Sequence, residues 1–448
     1  MRYHVENFGC RATQAEGTAL EEGFRARGYQ RAGDTAAADL VVINTCTVTA
    51  SADQQARQYV RHIHRRNSAA RILVTGCYAQ RAPEELAALP GVTWVVGNSH
   101  KAEIPAVIER ALPAHGRDFI PVARLGSAKV ITENICARTP LAATPVFEGE
   151  GGRTRPTLKI QDGCNNRCAY CIIPFVRGRS RSLPPADVIA QITRLEAAGT
   201  KEVVLSGVDL GSYGRDVRPR ASLVELTARI LAETSIPLVR FSSVEPEDLT
   251  DEFLSLVAST QRIARHLHAP LQSGSDRVLR RMRRWYNRAE YAERIEAAAS
   301  ALPNLGLGAD VMVGFPGETE EDFRATYGLV EQLPFTYLHV FGYSPRPGTA
   351  AAGLPARVPP RVSKERNRAL RLLAAEKGER FRRAQLHCRL RVVTLATTNP
   401  DGTRNALSEN YLKVRLPATS PPNRLLTVRV TRVDGNELWA EPERATLN

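Results

Sequence analysis

Thr157-Leu158-Lys159-Ile160-Gln161-Asp162-Gly163-Cys164-Asn165-Asn166-Arg167-Cys168-Ala169-Tyr170-Cys171 joins a short apolar run to a tight cysteine array. Thr157 to Ile160 reads as a buried strand, and the array behind it has C-x-x-x-C-x-x-C spacing. Three thiolates this close can wrap one face of a cubane iron-sulfur cluster and leave its fourth iron without a protein ligand. Zinc at the same place needs a fourth nitrogen or sulfur. None is at hand, because no His lies between His115 and His266 and no other Cys between Cys136 and Cys388.

Downstream, five more strand candidates follow at Glu202 to Leu205, Leu238 to Ser242, Arg265 to His268, Gly308 to Val313 and Tyr337 to Phe341. Helical patterns at Pro185 to Ala198, Leu223 to Glu233, Ala289 to Ala301 and Glu320 to Gln332 separate most of them. Repeated βα units of this kind build a full or partial barrel whose chemistry sits on the loops after the strands.

Upstream, Tyr3 to Phe8, Leu40 to Asn44 and Ile72 to Thr75 read as strands alternating with helices, which predicts a parallel α/β sheet. Each strand runs into a cysteine: Gly9-Cys10, Thr45-Cys46 and Gly76-Cys77. The carboxyl ends of parallel strands share one edge, so the three thiols are expected to converge. Soft thiolates select iron-sulfur or zinc, and His4, His62, His64 or His100 could complete a zinc site. A small buried hydrophobe at each strand end is the structural alternative.

Residues 116–155 lose periodicity around Thr139-Pro140, Thr144-Pro145 and Gly149-Glu150-Gly151-Gly152, reading as a connector with a short hairpin. At the other end, Arg361 to Arg391 carries eleven Lys/Arg against three Glu, over half of the chain's net charge of +14. Leu370, Leu372, Leu373 and Phe381 give that stretch a partly apolar face, so it reads as a helix packed on the barrel with a basic outer surface. Short strands at Leu390 to Ala396, Leu412 to Leu416, Leu425 to Val433 and Leu438 to Glu441 then predict a small β-barrel.

The 448 residues suit two or three domains, here 1–112, 150–382 and 383–448. No apolar run nears the ~18 residues of a membrane span, and the N-terminus has no hydrophobic signal core, so a cytoplasmic protein is expected. Its eight cysteines are then thiols or metal ligands. The positive charge points to a polyanion, nucleic acid ahead of an anionic membrane surface.

Gln161 through Arg179, with the Cys164, Cys168 and Cys171 spacing, resembles the radical S-adenosylmethionine superfamily and, within it, the methylthiotransferases. The resemblance implies a partial (β/α)6 barrel between an N-terminal Rossmann-like domain and a C-terminal TRAM RNA-binding barrel. It implies one [4Fe-4S] cluster on Cys164, Cys168 and Cys171 that cleaves S-adenosylmethionine to a 5′-deoxyadenosyl radical. A second [4Fe-4S] cluster, on Cys10, Cys46 and Cys77, would hold or deliver sulfur.

Further blocks fit the same family. They place Tyr170 near the adenine, Gly207 in the loop facing the S-adenosylmethionine amino group, and Gln272 and Val313 among the cofactor contacts. Ser243 and Glu245, after the third strand, are placed to bond ribose hydroxyls, though such residues also serve turns. Gly9-Cys10-Arg11-Ala12-Thr13-Gln14 departs from the Gly-Cys-Lys-x-Asn-Gln of relatives, leaving the ligand intact and altering its surroundings. Cys136 and Cys388 match no motif and read as structural.

Ser408 to Val414 looks most like the branch acting on threonylcarbamoyladenosine in tRNA. The expected activity is therefore methylthio transfer to C2 of that base beside the anticodon, with no general acid or base. Expected partners are the tRNA anticodon stem-loop, an electron donor such as a flavodoxin or ferredoxin, and a sulfur donor. Isopentenyladenosine in tRNA or a ribosomal protein aspartate is the alternative target, and a zinc-dependent, non-catalytic RNA-binding protein the alternative class.

Overall fold

Strand Leu40–Thr45 is buried along its whole length because it has a layer on each side. Val41 and Ile43 pack with Ala56, Val60 and Ile63 of helix Ala50–Arg66 on one face. Leu40 and Val42 pack with Leu20 and Phe24 of helix Arg11–Arg25 on the other. Strict alternation on one strand thus supplies two cores. In the computed structural model, which describes residues 1–111, 123–125, 128–137 and 154–443, this strand is central to a seven-stranded, mostly parallel sheet.

Arg2–Asn7 and Arg71–Gly76 flank it in parallel register, as the sequence reading expected. Val92–Val96, paired in parallel with Arg71–Gly76, is an unanticipated strand, preceded only by short helices with no full amphipathic period. The hairpin expected in the connector is present as Ala123–Leu125 and Ala128–Ile131, and it extends the same sheet. The Thr139-Pro140, Thr144-Pro145 and Gly149 to Gly152 segments lie outside the described residues.

The middle of the chain places six parallel strands side by side in chain order: Thr157–Lys159, Glu202–Ser206, Leu238–Phe241, His266–His268, Gly306–Val313 and Tyr337–Gly342. Ladders join the first three and the last three, and single bridges Val239 to Ile263 and Ser243 to His268 connect the halves. Among the described residues the first and sixth strands do not pair, so the barrel is open on one side. Helix Arg11–Arg25 of the N-terminal layer packs beside the first strand.

Basic helix Pro360–Arg383 lies along the sixth strand, with Arg371 Nη2 donating to the Val340 carbonyl at 3.2 Å. It leads into a closed barrel of five strands, as the TRAM resemblance implied. The strand missed from sequence, Thr403–Ser408, alternates polar side chains and buries few apolar ones. The turn after it inserts Tyr411 into the base of the larger barrel, where its ring stacks on His266 at 4.3 Å between centroids. Arg11 Nη2 donates to the Tyr411 hydroxyl at 2.8 Å, and Arg240 donates to the carbonyls of Ser408 and Glu409. Among the described residues no helix is long and apolar enough to cross a membrane.

Candidate active site

The cysteine array leaves the first barrel strand at its carboxyl end, as the βα reading required. The Asn166 amide hydrogen points at Cys164 Sγ (3.4 Å), the Cys171 amide bonds the Cys168 carbonyl (3.1 Å), and Arg284 Nη1 lies 3.4 Å from Cys168 Sγ. Burial pushes the Cys171 thiol up to about 12, with Cys168 adding to it. A thiol held protonated this firmly gives up its proton when a cation takes its place. Arg284 also pairs with Glu245 and stacks on Trp285 at 4.2 Å.

Tyr170 and Gln272 line a cavity of about 180 Å³ together with Cys171, Asp310 and Met312. Its other wall is Val48 and Thr49, from the loop after Cys46. Gly207 and Val313 do not line this cavity. A Cβ at Gly207 would come within 2.8 Å of Gln161 Oε1, which accepts the amide hydrogens of Val208 and Asp209. The Val313 carbonyl accepts from the Tyr343 amide at 2.8 Å. Ser243 forms the bridge to His268, and Glu245 is engaged by Arg284. Buried oxygens without protein partners remain at successive strand ends, on Ser206, Ser242 and Gln272. Such orphaned acceptors and donors suit a polar cofactor lying across the top of the barrel.

The three N-terminal cysteines do converge. A Cβ at Gly9 would fall 2.9 Å from Cys46 Cβ, and one at Gly76 would fall 2.3 Å from the Thr45 carbonyl, so both strand-end glycines are required by the approach of the three loops. Burial pushes Cys46 up to about 12, reinforced by Cys77 and Cys10. Asn98 Nδ2 reaches Cys77 Sγ at 3.5 Å. Cys77 packs on Ile172, Ile173 and Val176, the residues that follow Cys171, so one short helix links Cys77 to the second array. His4 instead faces Glu6 and His100 bonds Ser99, away from zinc duty with these thiols.

Among the described residues, neither cysteine set brings three ligand atoms within 4.8 Å of one another. Thiolates sharing one tetrahedral zinc sit about 3.8 Å apart at a Zn–S distance of ~2.3 Å. Cys136 is exposed, 3.8 Å from the Pro174 carbonyl, and Cys388 Sγ lies 3.4 Å from the Ala384 carbonyl.

Between the two sets lies a buried ionic cluster that sequence reading missed. Glu16 accepts from Lys101 (2.5 Å), Lys159 (2.9 Å) and Arg177 (2.7 Å), while Asp162 accepts from Lys159 (3.0 Å) and Arg177 (2.9 Å). The signal was there: Ala12, Glu16, Leu20 and Phe24 recur every four residues, placing a carboxylate on an apolar helix face.

A model of the radical SAM superfamily matches residues 158–330, and one of the uncharacterized protein family UPF0004 matches residues 2–97. The threonylcarbamoyladenosine tRNA methylthiotransferase MtaB of Aquifex aeolicus is 36% identical over 96% of this chain and 100% of its own length. That of Bacillus subtilis is 38% identical over 91% and 88%. The chain belongs to the radical S-adenosylmethionine methylthiotransferases. A second kind of relative, the tRNA-2-methylthio-N(6)-dimethylallyladenosine synthase of Geobacter sulfurreducens, is 37% identical over 78% of this chain and 77% of its own. The solved structure of the radical S-adenosylmethionine methyltransferase TsrM from Kitasatospora setae shares the fold at TM-score 0.58 and 18% identity, covering 78% of this chain and 76% of that one.

This methylthiotransferase is thus an enzyme that transfers alkylthio groups, and its family brings a [4Fe-4S] cluster and S-adenosylmethionine. Cys164, Cys168 and Cys171, free thiols on one loop beside the orphaned strand-end oxygens, fit that pair.

Proposed function

We propose that this methylthiotransferase converts N6-threonylcarbamoyladenosine beside the tRNA anticodon to its 2-methylthio derivative in the cytoplasm. One observation carries the reading: residues of the Cys46 loop and of the Cys168–Cys171 array line a single cavity, so a sulfur source and a site for radical generation open onto one substrate. The choice of base rests on the MtaB relatives, which match the chain nearly end to end. C2 of adenine carries no acidic proton, and the S-adenosylmethionine cofactor supplies the radical that removes its hydrogen.

The chain's own part is to hold and exclude. Cys10, Cys46 and Cys77 hold a second cluster, and Arg284 holds Glu245 and the Cys168 sulfur in place. Of the S-adenosylmethionine contacts, Tyr170 and Gln272 are supported by their place in the cavity wall, whereas Gly207, Ser243, Glu245 and Val313 act through the surrounding loops. Residues 1–112, 150–382 and 383–448 serve as sulfur-cluster, radical and RNA-binding units. A flavodoxin or ferredoxin supplies electrons, and a separate donor renews the sulfur. The radical SAM match and the MtaB relatives support the enzyme over the zinc-dependent RNA-binding reading.

Two measurements test this. Anaerobically purified protein should carry about eight irons per chain, falling by half when either cysteine triplet is changed to alanine; stoichiometric zinc without iron would overturn it. Nucleoside mass spectrometry of tRNA from a deletion strain should show unconverted threonylcarbamoyladenosine, restored by the wild-type gene and not by Cys168→Ala. Loss of the isopentenyladenosine derivative instead would move the substrate to the other branch.

A further inference from the structure

The fourth, fifth and sixth barrel strands carry a polar group that the cysteine chemistry leaves unused. Asp310 pairs in register with His339, and His268 with Gly308, so the three side chains of His268, Asp310 and His339 fall together on one face of the sheet. His268 Nε2 and His339 Nδ1 each lie 3.2 Å from Asp310 Oδ1, and one ligand atom from each residue falls within 4.8 Å of the others.

His268 Nδ1 is 3.1 Å from the Tyr337 hydroxyl, which is 2.8 Å from His266 Nε2. When Nδ1 donates to that hydroxyl and the hydroxyl donates onward to His266, the His268 Nε2 lone pair is aimed at the Asp310 carboxylate, and a cation between them satisfies both. A hydrogen-bonded far nitrogen of this kind is the usual support of a metal-bound imidazole. His339 is exposed and provides the entry path, while Asp310 forms part of the wall of the substrate cavity. A second observation comes from that cavity. Gln272 is only 7% exposed, has a left-handed backbone (φ 64°), and its Oε1 has no hydrogen-bond partner. That oxygen is among those read above as facing S-adenosylmethionine, so Asp310 and the cofactor border one cavity.

We propose that His268, Asp310 and His339 bind one divalent transition-metal cation, whose open positions take oxygen atoms of the substituent on the adenine N6. Two imidazoles and a carboxylate suit Zn²⁺, Fe²⁺ or Mn²⁺, and three protein ligands leave coordination sites free. The coordination role rests on the substrate reading above, because a threonylcarbamoyl group offers carboxylate and carbonyl oxygens and a dimethylallyl group offers none. Metal binding itself does not rest on it.

The test uses the full chain with its iron-sulfur clusters reconstituted, equilibrated with ZnCl2 and then dialysed into zinc-free buffer. Wild type should retain about one zinc per chain beyond its iron, and His339→Ala and Asp310→Asn should retain none at unchanged iron. His339 is exposed, so its alanine variant tests binding without disturbing the core. No zinc in wild type, or equal zinc in wild type and His339→Ala, overturns the site. Anticodon stem-loop RNA with and without the threonylcarbamoyl group is then titrated against zinc-loaded and zinc-stripped protein. Zinc should tighten binding of the modified RNA about tenfold, the scale of one charge-assisted contact, and leave the unmodified RNA unchanged. An equal effect on both overturns the coordination role. Failure of zinc-loaded protein to bind either RNA overturns the substrate reading and that role with it, while the zinc count still decides the metal site.

Discussion

Glu16→Gln should be among the most costly isosteric changes in this protein. Glu16 and Asp162 balance Lys101, Lys159 and Arg177 in a cluster where each side chain is at most 10% exposed, so the buried groups carry one excess positive charge. The amide leaves three buried cations facing one carboxylate and turns one acceptor atom into a donor. Removing one partner of a buried pair costs about 3–5 kcal/mol, against near zero for an exposed one. With a urea m-value of a few kcal/mol/M for a chain this size, the midpoint should fall by about 1–2 M.

The assay is urea unfolding of the cluster-loaded protein read by pulse proteolysis, with iron content checked in each variant. Glu233→Gln, in the exposed Arg229–Glu233 pair, is the control and should leave the midpoint unmoved. Burial alone would raise the Glu16 carboxyl, but the Arg177, Lys101 and Lys159 cations outweigh it and hold it well below the usual range. A depressed carboxylate contributes stability that is complete above its unfolded value, near 4.5, and lost as pH falls through the folded one. The gap between wild type and Glu16→Gln should therefore be constant from pH 7 to 5 and narrow below that. A Glu16→Gln midpoint equal to that of Glu233→Gln would refute the account.

Three further outcomes are expected. Tyr411→Ala removes the ring stacked on His266 and beneath Arg240, and should cost ~2–3 kcal/mol in thermal unfolding while making the C-terminal barrel the first protease-released fragment. Asp248 is pushed up to about 7 by burial together with Glu247 and Asp209, so the native state loses stability as pH rises from 4 toward 7; Asp248→Asn should gain on wild type between pH 5 and pH 8, and a pH-independent difference would contradict this. Lys364 and Arg368 line a groove of about 470 Å³ with Asn367, Arg371 and Gly342, the last of which also lines the cavity of Tyr170 and Gln272. Arg380 and Arg383, further along the same helix, are paired with Glu376 and Glu379. Lys364→Ala with Arg368→Ala should weaken anticodon stem-loop binding and lower its salt slope by about 1–2, whereas Arg380→Ala with Arg383→Ala should change neither.

The six barrel strands and the three cysteine-bearing strands of the N-terminal sheet were legible because buried parallel strands are short apolar runs bounded by turn residues. Helices Leu223–Glu233 and Glu320–Gln332 stand where their periodicity put them. Val92–Val96 and Thr403–Ser408 escaped notice for opposite reasons. The first lacks a preceding amphipathic helix, and the second buries one face in a small barrel and shows mostly polar residues.

The chain alone determined that Cys164, Cys168 and Cys171 lie together, because contiguous spacing confines three sulfurs to one loop whatever surrounds it. It also determined that Cys10, Cys46 and Cys77 meet, because parallel strands deliver their ends to one edge. Only the tertiary structure decided that the loop after Cys46 and the Tyr170–Cys171 end of the array line one cavity, and that Tyr411 reaches His266. It alone placed Glu16 against Lys159 and Arg177, and His268, Asp310 and His339 on one face. These contacts join residues up to 161 positions apart, where packing of separate layers selects the partner and no local periodicity records it.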